Sequence, residues 1–536
     1  MGDLIDEMAL VHGSRAAFIG GEERLSYAEL AQASISLARS FLALGVRAQD
    51  RICILCSNRA EFVIAYLACA RVGAVFAPLN TWYRERELGW SLARLEPVLL
   101  LAEPAFAGHD FAQDLGRILP SLTHSDPGEL HDDAVRSLRS IAFMGPARAG
   151  GWGWEQLLDL GREVAVDLVH ARQRTVGPDS IFQILFTSGS TADPKGVLLN
   201  HRSTVQNCFQ IGERRALAAG DLVWFGSPLF YALGAVNCLP AVLTHGATLV
   251  TQARFVAEEA LDTIERLGCN VFYATSNIIR AVFESPAFSR HRVASLEKGM
   301  AGISVAERRI LIQDMGVHLA TQSFGMTEVY GHCAVGYPDD ALELKLTSEG
   351  CALPGNELRV VDPLSRRPLP AGELGLLTVR GHTADGYYLD PEASAQAWDQ
   401  DRFLDTGDLG RLDAQGYFHF HSRLKEVIKT GGMNVAPADL EQVLLGHPAI
   451  VQACVVGIPD LRRGEVVIAF VASLGQLSED EVRDYVRSST ASFKVPSRVV
   501  FKDGADFPRL ASGKIPRHRL REEAMALFGG GSEGSN

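Results

Sequence analysis

The stretch LFTSGSTADPKGV, residues 185–197, follows an apolar, strand-like start with glycine, hydroxyl side chains and one lysine. It is not the G-x-x-x-x-G-K-[ST] phosphate loop, because Lys195 is followed by Gly196 and Val197. Its chemistry still suits phosphate. Glycines admit backbone N–H groups to an anion, Thr187, Ser188, Ser190 and Thr191 offer hydroxyls, and Lys195 supplies charge. Alone, the stretch serves equally well as a polar turn after a buried strand, so the rest of the chain must decide.

A chain of 536 residues is too long for one core and predicts a large compound domain with a smaller one. The net charge of -13, with no basic stripe, argues against a general nucleic-acid surface. The most apolar run, FVIAYLACARVGAVFAPL, is broken by Arg71, Gly73 and Pro78, so it reads as a buried helix turning into a strand and not as a transmembrane segment. MGDLIDEMAL lacks the basic start and long apolar core of a secretory signal. Nine scattered cysteines suit a reducing cytoplasm, and the expected localisation is cytoplasmic. Cys53 and Cys56 form a lone C-x-x-C inside RICILCSN and read as core thiols. His419 and His421 in GYFHFHSR read as two outward positions of a strand without a third ligand.

Ser26 and Glu29 have capping-box spacing ahead of Leu30, Leu37, Phe41 and Leu44 on one helical face that ends at Gly45. RICILC, the apolar helix from Glu61 to Arg71 and AVFAPL then make a β-α-β unit. LVWF, the apolar run at Leu239 to Leu243, ATLV, a helix from near Val256 and NVFYA repeat the alternation, which predicts parallel sheets covered by helices. From Gly355 to about His421, short strands separated by Gly, Pro and Asp turns predict a small barrel or meander. Beyond Ser422 a new α+β unit is expected: a helix near Ala438 to Leu445, strands VQACVVGI and EVVIAFVAS, a helix capped by Ser478 and Glu481, and strand RVVF. The expected domains are residues 1–421 and 422–528, with GGGSEGSN at 529–536 as a disordered tail.

Four further stretches join the opening one: SFGMTE at Ser323 to Glu328, FLDTGDLG around Asp408, SRLKEVIKTGGMNVAPADLE from Ser422, and PRLASGKIPR around Lys514. In this order and spacing they resemble the adenylate-forming superfamily of acyl-CoA synthetases, aryl-CoA ligases, luciferases and carrier-protein adenylation domains. The likeness spans nearly the whole chain and includes GYYLDPEASAQAW and VVGIPDLRRGEVVIAFV. It implies an α/β fold: a large N-terminal domain with two doubly wound sheets and a small β-barrel, plus a small mobile α+β C-terminal domain. The implied enzyme is an acid-thiol ligase in which a carboxylate attacks the α-phosphate of ATP, releasing pyrophosphate, and the CoA thiol then displaces AMP.

By the same resemblance, Thr187, Ser188, Gly189, Ser190, Thr191 and Lys195 cradle the β- and γ-phosphates. Thr327 donates to the α-phosphate and Glu328 holds Mg²⁺, a hard cation suited to one or two carboxylates plus phosphate oxygens. Gly302, Ser323, Phe324 and Gly325 line the nucleotide, Asp408 accepts the ribose hydroxyls, and Arg423 contacts ribose or phosphate. Lys514 neutralises charge developing between carboxylate and α-phosphate. After adenylation the small domain pivots at Ser422 and presents Lys429, Gly431 and Gly432 to pantetheine; Pro437 and Glu441 after GGMNV look like CoA-using relatives. The acyl pocket is expected at Tyr231, Gly234, Asn277, Gly325 and His332, of a shape open to bulky, cyclic or fatty acids.

The chain departs from the family at three places. Ser422 stands where the hinge usually has Asp, PLFY with Tyr231 replaces PLFH, and MAGI at Met300 to Ile303 replaces a GGAP-like turn beside adenine. Expected partners are a carboxylic acid, ATP and CoA, with no nucleic acid, and a homodimer is left open. Three alternatives stand beside the CoA ligase: transfer to a carrier protein, thioester formation only, on an adenylate from a partner enzyme, and a silent nucleotide-binding protein.

Overall fold

The computed structural model describes residues 1–148, 150–187, 194–430, 433–460, 463–509 and 515–528. Ser188, Gly189, Ser190, Thr191, Gly431, Gly432, Lys514 and the 529–536 tail lie outside the described residues. The chain falls into two compact units, Met1–Glu357 with Val379–Leu404, and Leu358–Thr378 with Asp405–Asn536.

Two large sheets build the first unit. One runs in the order Leu319–Thr321, Lys298–Met300, Val271–Tyr273, Leu222–Phe225, Thr248–Thr251, Ala16–Gly20 and Glu23–Ser26, parallel except at the last pair. The other is parallel from Ile181–Thr187 outward through Val75–Pro78, Arg51–Leu55, Leu99–Ala102, Ser140–Phe143 and Trp152–Gly153. Its opposite edge is antiparallel, with Lys195–Asn200 pairing Ile181–Thr187 and Gly386–Tyr387 pairing Lys195–Asn200. Aliphatic and aromatic runs such as LVWF and RICIL are buried on both faces, as parallel strands covered by helices must be. Trp224 stacked on Phe272 anchors one core, and Phe111, Phe143 and Leu100 lie in the other.

Local chemistry explains the elements. Glu29 Oε2 accepts the Ser26 N–H at 2.8 Å while Ser26 Oγ caps Glu29, so helix Tyr27–Ala43 starts where the capping box places it. Helix Ala60–Val72 ends on Gly73 at φ 70°, a left-handed cap that a side chain would strain, and strand Val75–Pro78 follows. No helix of the described residues is long and apolar enough to cross a membrane. Cys53 and Cys56 are buried, as are six more of the nine cysteines; only Cys351 is partly exposed.

The second unit holds an antiparallel ladder of Leu404–Leu412 with Phe418–Arg423, in a four-stranded sheet with Glu357–Val361 and Gly375–Arg380. It also holds a sheet in which Ile450–Asp460 and Gly464–Ser473 form the long central hairpin, flanked by helices Pro437–Leu445 and Glu479–Ser489. The second helix carries the Ser478–Glu481 capping box. The outward placement of both histidines in GYFHFHSR is corrected. Register shifts at His421, since Ser422 faces Leu409 while Phe420 faces Gly410. Simple alternation therefore fails: Phe420 is exposed, and the part-buried His419 and His421 sit 3.0 Å from Asp413 and 3.4 Å from Asp439.

Candidate active site

The pairing of Ile181–Thr187 with Lys195–Asn200 places Thr187 directly opposite Lys195 at the carboxyl end of a parallel strand, where open α/β sheets receive ligands. The Lys195 ammonium lies 4.8 Å from the centre of the Tyr387 ring. The same tyrosine donates its hydroxyl hydrogen to Glu328 Oε1 at 3.0 Å. A cation, an aromatic and a carboxylate from three separate motifs thus meet. Burial first, and Glu328 second, push the Tyr387 phenol above its ordinary pKa, so it remains a donor.

Glu328 is buried at 6% exposure in the single 3-10 turn Thr327–Val329. The turn is closed by Tyr330 at φ 55°, a left-handed conformation unusual for a bulky residue, whose N–H bonds to Thr327 O at 3.1 Å. Tyr330 Oη in turn accepts the Asn200 N–H at 2.8 Å. The acidic turn is therefore fastened to the lysine strand at Tyr330 and again at Tyr387. No group of three or more His, Cys, Asp or Glu side chains able to hold a metal exists among the described residues. A cation here would rest on Glu328 and phosphate oxygens, the donor set that magnesium accepts.

Most residues expected to form the acyl pocket are linked: the Gly234 N–H bonds to Tyr231 O at 2.9 Å, and Asn237 on the same π-helix meets His332. Tyr231 packs with Phe230 and Trp82, ring centres at 4.5 and 5.8 Å, and receives Asn80 Nδ2 at 3.4 Å. Asn277 is exposed near the start of helix Ser276–Phe283, with Oδ1 accepting from Thr275 Oγ1 at 2.6 Å. His332 is buried with Asn237, Nδ2 to Nδ1 at 2.8 Å, and with Arg215. Gly325 and Gly331 permit that packing, because a Cβ on Gly325 would fall 1.8 Å from Gly331 O and one on Gly331 would fall 2.3 Å from Asn237 Nδ2. Gly234 lies against the Leu229 backbone and is equally unable to carry a side chain.

In MAGI, Gly302 O accepts Arg308 Nε at 2.8 Å and a Cβ would fall 2.6 Å from that of Glu307, so the turn is close-packed although Ile303 is 66% exposed. Ser323 and Phe324 form a short strand paired with Ala334–Val335.

Within the second unit, Asp408 is buried and paired with Arg423, Nε to Oδ1 at 3.0 Å, so the two residues expected at the ribose meet each other. Ser422 is 3% exposed within the ladder, and its Oγ has no hydrogen-bond partner among the described residues. The Lys429 side chain is exposed while its N–H bonds to Glu465 at 2.8 Å. Arg517, three residues past Lys514, clasps Glu441 with both terminal nitrogens, and Glu441 Oε1 also accepts the Val455 N–H at 2.7 Å. Sequence reasoning gave no role to Tyr387, Tyr330, Arg215 or Asn237; the GYY stretch was the available signal for the first.

The fold and the joined motifs define a class, which comparison identifies. The model of the AMP-binding enzyme family matches residues 5–388 and that of its C-terminal domain matches 439–514; the chain belongs to this family. It is similar to the 3-[(3aS,4S,7aS)-7a-methyl-1,5-dioxo-octahydro-1H-inden-4-yl]propanoyl:CoA ligase of Mycobacterium tuberculosis, 32% identical over 97% of each chain. It is also similar to the mitochondrial medium-chain acyl-CoA ligase ACSF2 of Mus musculus, 28% identical over 98% of this chain and 87% of the relative. The crystal structure of ATP-bound MatB from Rhodopseudomonas palustris superposes with a TM-score of 0.86 at 25% identity, covering 98% and 99% of the two chains. The chain is an AMP-forming acid-thiol ligase, an acyl-CoA synthetase.

Proposed function

We propose that the chain activates its carboxylic acid in two half-reactions on one site, with Glu328 as the magnesium ligand and Lys195 beside the phosphates. The observation that carries this reading is the Lys195–Tyr387–Glu328 constellation. Magnesium, when bound, screens phosphate charge and makes pyrophosphate a better leaving group. Glu328 is held in place by the Tyr387 hydrogen bond and by the strained Tyr330 turn. Thr187 and Lys195 face the phosphates as donors. Lys514 acts at the reacting carboxylate, and movement of the C-terminal domain about Ser422 exchanges it for Lys429, Gly431 and Gly432 when CoA attacks. Asp408 and Arg423 hold the ribose. CoA is the acceptor, and the protein works in the cytoplasm. The relatives' names carry acids as different as a medium chain and a fused dioxo ring system, so acid choice resides in pocket residues and not in the shared motifs.

Glu328→Gln tests the assignment. It removes one anionic oxygen, so acid-dependent pyrophosphate release falls and the half-saturating magnesium concentration rises, with partial rescue in excess magnesium. Unchanged activity and unchanged magnesium dependence would remove Glu328 from the site.

A further inference from the structure

Three arginines rank among the largest fully buried side chains: Arg71, Arg215 and Arg308. Two have the anion that a buried guanidinium requires, Arg71 with Asp6 at 2.8 Å and Arg308 with Glu349 at 2.5 Å. Arg215 has no carboxylate partner among the described residues. At 0% exposure, its Nη2 donates to Ser323 Oγ at 3.2 Å and faces His332 Nδ1 at 3.3 Å, and its guanidinium carbon lies 4.5 Å from the centre of the Tyr273 ring. Nε and Nη1 are buried and meet no hydrogen-bond partner among the described residues. The ring face returns only part of what desolvating a cation costs.

The neighbours are equally rich in donors. Tyr273 Oη donates to Asn237 Oδ1, which engages that acceptor. Asn237 Nδ2 and Arg215 Nη2 both point at His332 Nδ1, which places the hydrogen of the neutral ring on Nε2. Burial, and then the charge of Arg215, hold this imidazole well below its ordinary pKa, so it stays neutral. The wall therefore offers N–H groups: its Asn237 and His332 acceptors are engaged, the Tyr273 hydroxyl oxygen interacts with the guanidinium, and Arg215 Nε and Nη1 still lack a partner among the described residues. The cluster sits at the carboxyl ends of parallel strands, the side of an open α/β sheet that receives ligands. Tyr273 ends a parallel strand and Ser323 follows another, while Asn237 shares the π-helix Ala232–Cys238 with Gly234 of the expected acyl pocket.

The geometry points to Arg215, with His332 and Asn237 around it, as a specificity subsite for an oxygen acceptor, a ketone or a second carboxylate, at the end of the acid remote from the reacting carboxyl group. This inference rests on the acyl-CoA ligase reading.

The test compares octanoate, 7-oxooctanoate and octanedioate, with kcat/KM for pyrophosphate release measured for the wild type, Arg215→Met and Arg215→Lys. The wild type should favour at least one oxygenated acid over octanoate by roughly tenfold or more, because the apolar chain leaves a buried donor unpaired. Which oxygenated acid is favoured separates the ketone from the carboxylate. Arg215→Met should collapse the ratio, mainly through KM, and Arg215→Lys should retain part of it. A wild type that prefers octanoate to both oxygenated acids overturns the inference, and that ratio needs no variant to fold. If no acid releases pyrophosphate from the wild type, the ligase reading fails instead. Calorimetric titration of the wild type with the three acids then decides the subsite, with tighter binding of an oxygenated acid supporting it and equal or weaker binding overturning it.

Discussion

Tyr387 does two jobs with one side chain: its ring carries the Lys195 ammonium and its hydroxyl holds Glu328. Phenylalanine preserves the first and deletes the second. A hydrogen bond to a charged group is worth about 1.5–3 kcal/mol, so Tyr387→Phe should slow pyrophosphate release roughly tenfold to a hundredfold. Because the carboxylate is then less well fixed, the magnesium requirement should rise in the same direction as in Glu328→Gln but less steeply. A magnesium titration of both variants checks this, and a Tyr387→Phe enzyme with wild-type rate and magnesium dependence would leave the phenol as packing alone.

Elements built on short-range signals were readable from the chain itself. The two capping boxes, the β-α-β alternation around RICILC and the central hairpin of the second unit all stand where periodicity and caps place them. The candidate site was proposed from the sequence only where a motif carried it. Arg215 follows Arg214 at a helix end and reads as a solvated charge, yet the fold buries it completely. Asn237 lies on a π-helix, whose wider turn breaks the 3.6-residue period by which an inward face is recognised. Glu441 was noted as part of a motif, but its structural work needed coordinates: it joins helix Pro437–Leu445 to the Val455 N–H and to Arg517 of the last helix. Glu441→Ala leaves the mostly buried guanidinium held by Glu426 and the Val455 carbonyl and should cost about 1.5–3 kcal/mol in unfolding of the second unit. Denaturant unfolding of the variant measures this, and a midpoint within error of the wild type would contradict it.

At the scale of the molecule, pH reaches stability through buried imidazoles. His201 is stacked on Phe182 at 4.5 Å, and burial, then the terminal ammonium, push it down to about 3. The unfolded chain binds this proton near pH 6.5 and the folded chain does not, so the unfolded state gains protons first on acidification. Stability is thus full above about pH 6.5 and falls as pH drops toward 3, at about 1.4 kcal/mol per pH unit for each such histidine, with His332 adding to the slope in the same direction. His201→Asn should flatten the dependence of the unfolding free energy between pH 6 and 4 by close to one proton; an unaltered slope would show that His201 titrates normally in the folded chain. The distribution of thiols has a consequence of another kind. With eight cysteines shielded and Cys351 alone partly open beside Arg214, a brief pulse of maleimide should attach one label per native chain. The remaining sulfurs then become a clock: each reacts only when its surroundings open, so the mass of pulse-labelled peptides times the breathing of each core separately.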